Sequence, residues 1–462
     1  MKIVIIGAGP GGYETAIEAA RKGAEVTVIS DGPLGGTCLN EGCIPTKALC
    51  RSAEIVEDLR AAGDFGIDAD FRAFDLGKAV ARKEQVIEQL RSGIAFLFEK
   101  NHVRFISGKA SFKDAHTVAA KAADGTVEEV PADYVIIAAG SHSASLPIPG
   151  AKLPGVMTSK EILELQEVPS KLCVIGAGVI GLEFASVFRS FGSEVSVVEF
   201  CPDILPRFDT DLAKRLKQAL SKRGISIETS AAVQSISAEG DGLKVSYNKK
   251  DKPFEIVADK VLMAVGRRPN VDTLNLAEVG VEFTPKGIVT DPEFRTSVPN
   301  IFAVGDVNGG IMLAHEATFE GYHALNVILA ENGMRERRAG GKLDSIRFDI
   351  VPAAVFTNPE VATVGLTEDD CKAKGLAVKC LKSFFRANGK AVSMGQTEGF
   401  CKLIVSSEDG RILGCHMFGA HSSDIIQEIT ALMNRNAGLD ALEDIIHAHP
   451  TLGEVILSAA RQ

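Results

Sequence analysis

The sequence predicts an α/β protein in which one strand–turn–helix–strand unit occurs twice and an α+β segment follows. Three observations carry this: two glycine-rich turns 169 positions apart, apolar runs whose period switches between about 2 and 3.6, and short C-terminal strands followed by helices. With 462 residues, the chain has room for two to four domains and ample buried core.

The first copy opens the chain. Lys2–Ile6 is apolar, Gly7-Ala8-Gly9-Pro10-Gly11-Gly12 spells Gly-x-Gly-x-x-Gly, Tyr13 to Lys22 has helical periodicity, and Glu25–Ser30 reads as the next strand. Glycines at 7, 9 and 12 let the backbone approach a pyrophosphate seated on the helix N-terminus. Residues 172–199 align with residues 3–30 without a gap, and Gly176, Gly178 and Gly181 fall on Gly7, Gly9 and Gly12. One such motif is a weak signal, but two in strand–turn–helix context predict two Rossmann-like dinucleotide-binding domains. The copies differ where a carboxylate ending the second strand would take a ribose hydroxyl: Glu199 in the second, Ser30 in the first with Asp31 next to it. Glu199 repels a 2′-phosphate and so favours NAD over NADP.

Between the copies, Gly35 to Lys47 reads GGTCLNEGCIPTK, with Cys38 and Cys43 five positions apart. On an ideal helix five steps rise about 7.5 Å and set the Cα atoms roughly 8–9 Å apart, beyond the ~7 Å a disulfide tolerates. A bridge therefore needs a distorted backbone, for which Gly42 is permissive and Pro45 biases Ile44 away from helix. So short a loop gains little stability from a bridge, which favours a chemical role. Spacing alone leaves a second reading open, two reduced core cysteines. At the far end, His447-Ala448-His449-Pro450-Thr451-Leu452-Gly453-Glu454 offers an imidazole suited to take a thiol proton. Pro450 is expected to start a helix whose Glu454 reaches back to His449.

The thirteen-residue cysteine string resembles the redox-active disulfide of the FAD-dependent pyridine nucleotide–disulfide oxidoreductases, and the resemblance covers essentially the whole chain. Tyr134 to Gly140 resembles the strand that closes the family's flavin domain, and TSVPNIFAVGD, ending in Asp306, resembles its third flavin signature. VPAAVFTNPEVATVGLTE resembles the opening of its dimerisation domain, and HAHPTLGE the His–Glu dyad of its dithiol-handling members. The resemblance implies two Rossmann-like domains, for FAD and NAD, plus a C-terminal α+β dimerisation domain. The boundaries expected are 1–145 for the first part of the FAD-binding domain, 146–263 for NAD, 264–338 for a central domain completing the FAD site, and 339–462 for the interface.

It further implies that Cys38 exchanges with a substrate dithiol while Cys43 lies against the flavin. His449 would be the base, oriented by Glu454, and Lys47 would sit by the flavin and pair with Glu183 near the nicotinamide. FAD contacts are expected from Gly7, Gly9, Gly12, Ser30, Asp31, Gly36, Thr37, Lys47, Gly140, Asp306, Leu313 and Ala314. NAD contacts are expected from Gly176, Gly178, Gly181, Glu183, Glu199 and Gly266. The activity implied is NAD+-dependent oxidation of a dithiol by a homodimer, with a lipoyl-bearing protein of a 2-oxo acid dehydrogenase or glycine cleavage system as partner. The alternative is an NAD(P)H-dependent reductase of another disulfide, of the glutathione or mercuric type. Against these stand Glu199, which disfavours NADPH, and a chain end, SAARQ, without a cysteine pair.

Composition sets outer bounds. A net charge of −10 argues against nucleic acid or an anionic membrane as partner. Apolar stretches are short and interrupted, and the opening MKIVIIGAG reads as strand rather than signal peptide. Nine scattered cysteines form no disulfide framework and suggest a reducing cytoplasm. No metal cluster is expected: His447 and His449 have no further ligand nearby in sequence.

Overall fold

Apolar β-branched residues in Lys2–Ile6 and Tyr134–Ile137 are covered on both faces, the signature of parallel strands inside an α/β layer. The computed structural model describes residues 1–338 and 340–462 and divides into two compact units. The first comprises Met1–Ala48, Val80–Ala144 and Gly266–Ile346; the second comprises Leu49–Ala79, Ser145–Val265 and Arg347–Gln462.

In the first unit a five-stranded parallel sheet runs in the order Ile301–Ala303, Tyr134–Ile137, Lys2–Ile6, Glu25–Ser30, Arg104–Ser107. Ile3, Ile5, Val26 and Val28 pack against helices carrying Ile17, Phe98 and Ile328, while Val4, Ile6 and Ile29 pack against Phe112, Val118 and Val130. The latter belong to an antiparallel meander, Lys109–Asp114, Thr117–Lys121 and Val127–Pro131. The helix after the first turn is Pro10–Arg21, starting earlier than Tyr13 because Pro10 fits the first helical positions, where its missing N–H is not needed.

The second unit repeats the plan: Ile225–Glu228, Glu194–Val198, Lys171–Ile175, Lys260–Met263 and Val156–Met157 form a parallel sheet. Lys171 pairs with Glu194 as Lys2 pairs with Glu25, so the 169-residue shift holds at the level of strand register. The unit also holds a five-stranded antiparallel sheet in the order Ala353–Val355, Val361–Gly365, Ile412–Phe418, Phe400–Ser406, Val378–Phe384. The edge strand Val378–Phe384 has no counterpart in the sequence reading. Helices Ser422–Asn434 and Glu454–Ala460 cover this sheet through Ile426, Ile429, Val455 and Ile456.

One charged side chain lies inside this layer. Lys402, 1% exposed, donates to both carboxylate oxygens of Asp209 at 3.0 and 2.9 Å and to Glu368 at 2.7 Å. Burial opposes its charge, but the bonds to Glu368 and Asp209 prevail and raise its pKa. Asp209 is also the N-cap of helix Thr210–Lys222, accepting from Asp211 and Leu212. Removing one partner of a buried pair strands the other, which costs roughly 3–5 kcal/mol. Lys402→Met should lower the unfolding free energy by about that much in a urea titration, and Asp209→Asn, which keeps a capping oxygen, by less. Equal small losses for both would mean that the pair is not what holds this layer.

Candidate active site: a dithiol, two nucleotide sites and a histidine–glutamate dyad

The backbone between the cysteines is broken, as their spacing requires. Helix Gly36–Glu41 ends at Gly42 (φ −146°, ψ −106°), and a second helix, Cys43–Arg60, starts at the next residue. A Cβ on Gly42 would lie 3.1 Å from the Thr37 carbonyl oxygen, so a side chain there would push against the preceding turn. Ile44 departs from expectation. It is helical, because Pro45 falls in the first turn, where its missing N–H is not needed and its fixed φ suits the helix.

The two cysteines stand here as a dithiol, joined by a thiol hydrogen bond. That bond, burial and the charge on Cys43 push the Cys38 thiol far up, with Lys47, one turn beyond Cys43, acting in the opposite sense. Cys38 therefore keeps its proton and donates it toward Cys43.

The glycine turn beneath forms a cradle. Gly36 (φ +57°) passes so close to Gly9 that an added Cβ would stand 2.5 Å from the Gly9 Cα, and a Cβ on Gly12 would stand 2.0 Å from the Gly7 oxygen. These contacts leave bare backbone at the N-terminus of Pro10–Arg21, which fits the pyrophosphate of a dinucleotide such as FAD. Thr37 is exposed at the start of its helix; Gly140 follows strand Tyr134–Ile137. Ser30 ends its strand with its hydroxyl accepting the Gly32 N–H at 3.2 Å, and Asp31 is exposed.

Asp306 sits in the turn Gly305–Asn308, accepts from the Ser141 hydroxyl, and lies 3.7 Å from Arg267, which donates to Ser141 at 2.7 Å. Leu313 and Ala314 open helix Ala314–Glu331. From that helix Glu320 accepts the Gly305 N–H at 2.6 Å and the Asn308 amide at 2.9 Å, so its carboxylate shapes the turn that presents Asp306. Arg267 and Glu320 were not singled out from sequence. The first stands in the Gly266-Arg267-Arg268-Pro269 string, and the second lies one turn beyond Glu316.

In the second unit the nucleotide turn Gly176–Gly181 leads into helix Val179–Phe191. Glu199 is buried and accepts the N–H of Ala177 at 2.6 Å and of Cys201 at 2.7 Å. Glu183, on the helix, is buried and accepts the Phe356 N–H at 2.9 Å. Gly266 (φ +109°) belongs to the first unit, where its oxygen accepts from Ala144.

His449 projects a ring that is 79% exposed, with Nδ1 2.9 Å from Glu454 Oε1. The other oxygen of Glu454 accepts the Thr451 N–H at 2.8 Å; this bond first, and His449 second, hold the carboxyl below its ordinary value. The helix begins at Glu454 rather than at Pro450, because residues 450–453 form the turn that folds Glu454 back onto the ring. His447 faces Glu428 instead, with 3.0 Å between Nε2 and Oε1.

A helix N-terminus with a glycine cradle, repeated once in each unit, together with a dithiol and an exposed histidine, is the equipment of a flavin- and nicotinamide-dependent disulfide oxidoreductase. Residues 1–321 match the family model described as pyridine nucleotide-disulphide oxidoreductase, and residues 351–460 match the model of its dimerisation domain. The chain belongs to this family, whose members use FAD and NAD. Proteins named dihydrolipoyl dehydrogenase from Bacillus subtilis and Geobacillus stearothermophilus are each 39% identical over 99% of this chain and 95% of their own length. Among solved structures, LpdA from Mycobacterium tuberculosis superposes with a TM-score of 0.91 at 28% identity, covering 100% of this chain and 99% of that one. The HOCl-induced flavoprotein disulfide reductase RclA from Escherichia coli gives 0.87 at 28% identity, covering 100% and 99%.

Burial, followed by the charges of Glu316 and Asp306, pushes Glu320 up to about 8; burial and Asp306 push Glu316 up to about 7. A carboxyl raised above its unfolded value of 4.5 contributes stability that is complete below that value and is lost as pH rises through the folded one. The protein should therefore lose stability as pH rises from about 4.5 to about 8, by on the order of a few kcal/mol. Glu320→Gln should flatten that loss in thermal melts at the two pH values; an equally steep fall would remove Glu320 as its source.

Proposed function

We propose that the chain catalyses the NAD+-dependent oxidation of dihydrolipoamide carried on a lipoyl-bearing protein, returning the lipoyl disulfide and NADH. The observation that carries this reading is the exposed His449 ring held by Glu454, in a chain that also carries Cys38 and Cys43. The dihydrolipoyl dehydrogenase relatives support it over nearly their whole length.

In the oxidised protein Cys38 and Cys43 form one disulfide. His449 takes a proton from a substrate thiol; the resulting thiolate attacks Cys38 Sγ, and the bond to Cys43 breaks with Cys43 leaving as thiolate. His449 passes this first proton to Cys38 as that sulfur departs and takes the proton of the second substrate thiol, whose sulfur attacks the substrate sulfur of the mixed disulfide and displaces Cys38; the lipoyl disulfide closes, leaving Cys38 as a thiol, Cys43 as a thiolate and His449 protonated. Two electrons have moved from substrate to the Cys38–Cys43 pair. FAD, when bound, couples thiol oxidation to hydride exchange with a nicotinamide. In this reading Cys43 would face that group, Lys47 would stabilise its negative charge, and Glu183 would serve the nicotinamide site. Glu454 fixes the His449 tautomer and offsets the imidazolium charge.

Residues 1–145 and 264–338 are assigned to the FAD site, 146–263 to NAD and 339–462 to the dimer interface. The chain works as a cytoplasmic homodimer in which His449 serves the disulfide of the second subunit. No helix among the described residues is long and apolar enough to cross a membrane. The partner is the lipoyl-bearing protein of a 2-oxo acid dehydrogenase or glycine cleavage system.

Cys43→Ser should retain FAD and lose dithiol-dependent NAD+ reduction by at least about a thousandfold, since the relay loses its electron-accepting sulfur. Undiminished activity with dihydrolipoamide would sink the mechanism. His449→Gln should slow reduction of the protein by dihydrolipoamide about 10²–10⁴-fold, as expected for loss of a general base, and leave NADH-to-dye electron transfer nearly untouched. Equal slowing of both would argue against the base.

A further inference from the structure

The two nucleotide turns are an internal control on one side chain. Key backbone bonds recur at the same shift: Gly7 N–H donates to the Ile29 oxygen as Gly176 N–H donates to the Val198 oxygen, and Tyr13 N–H to Gly9 as Leu182 N–H to Gly178, each 169 positions apart. What differs is the residue that closes the turn. In the second copy the Glu199 carboxylate reaches both Ala177 N–H and Cys201 N–H, tying the glycine turn to the end of the strand. A carboxylate has about four acceptor positions, so capacity remains for a ribose hydroxyl.

In the first copy the equivalent donors are Ala8 and Gly32. The Ser30 hydroxyl takes Gly32, at the longer distance of 3.2 Å, and reaches no further. Ala8 is 2% exposed, and among the described residues its N–H has no acceptor. Asp31, the neighbouring acid, is exposed. A neutral hydroxyl thus replaces a charged two-pronged acceptor, and a buried donor is left over.

We propose that Ser30 makes FAD an exchangeable cofactor in this protein: the flavin is held through the pyrophosphate cradle and Asp306 without a carboxylate at the ribose, and it equilibrates with free FAD. Ser30 is then the residue that sets flavin retention. The proposal rests on FAD occupying the first copy and is independent of which dithiol is the substrate.

The test is the rate at which purified holoprotein, diluted into flavin-free buffer, releases FAD, read as the rise in flavin fluorescence. A hydrogen bond to a charged acceptor is worth about ten- to a hundredfold in binding, so Ser30→Glu should slow release by that factor. Ser30→Asp, with a shorter reach, is the second variant in case the longer side chain does not fit. Glu199→Ser should make the reciprocal change, raising the NADH dissociation constant about tenfold while FAD release stays as in the parent. Release from both Ser30 variants within about twofold of the parent, or faster than it, would overturn the proposal. So would a parent protein that retains all its flavin over many hours of dilution. Dihydrolipoamide turnover, measured with FAD in excess, reports separately on the proposed function.

Discussion

Everything done by the two cysteines depends on five residues failing to form a continuous helix. Had the run from Gly36 to Arg60 been one helix, Cys38 and Cys43 would point more than a right angle apart and never meet. The break at Gly42 turns sequence neighbours into bonding partners. It also gives Cys43 the first position of a new helix, and the hydrogen bond to Cys43 together with burial pushes the Cys38 thiol up. One backbone irregularity therefore sets the proximity of the two sulfurs and the hydrogen bond between them.

Within each unit, the residues expected at a nucleotide sit just beyond the carboxyl ends of parallel strands. Ser30 ends Glu25–Ser30, Asp306 follows Ile301–Ala303, and Glu199 follows Glu194–Val198. This is where an open α/β sheet leaves its crevice, so sheet order alone delivers these residues to one edge of their respective layers. Finer placement falls to side chains from helices: Glu320 reaches the Gly305–Asn308 turn and thereby orients Asp306.

The sequence made legible what is local and periodic. Both strand–turn–helix units and the His449–Glu454 contact, only five positions long, follow from spacing and residue type, whereas the reading of the cysteine pair rests on the resemblance of the whole Gly35–Lys47 string. What escaped depends on distant partners or on weak patterns. Strand Val378–Phe384 lies at a sheet edge and alternates poorly between buried and exposed positions. Lys402 interrupts an otherwise apolar strand, and its partner Asp209 is 193 positions away, so nothing nearby reveals why a charge belongs in the core. Ile44 is helical although it precedes proline, because the bias of a residue before proline yields when that proline fills a helix's first turn.

The Lys402–Asp209 pair carries a consequence for how the second unit comes apart. Asp209 caps a helix of the nucleotide-binding sheet, and Lys402 rises from the antiparallel sheet. Separating the two layers would expose a lone charge on each side at the same moment as a helix end frays. Partial opening between these layers is thus penalised twice, by the stranded charges and by the frayed helix end. A protease acting on the folded chain would meet either an intact unit or a fully opened one, with no stable half to release.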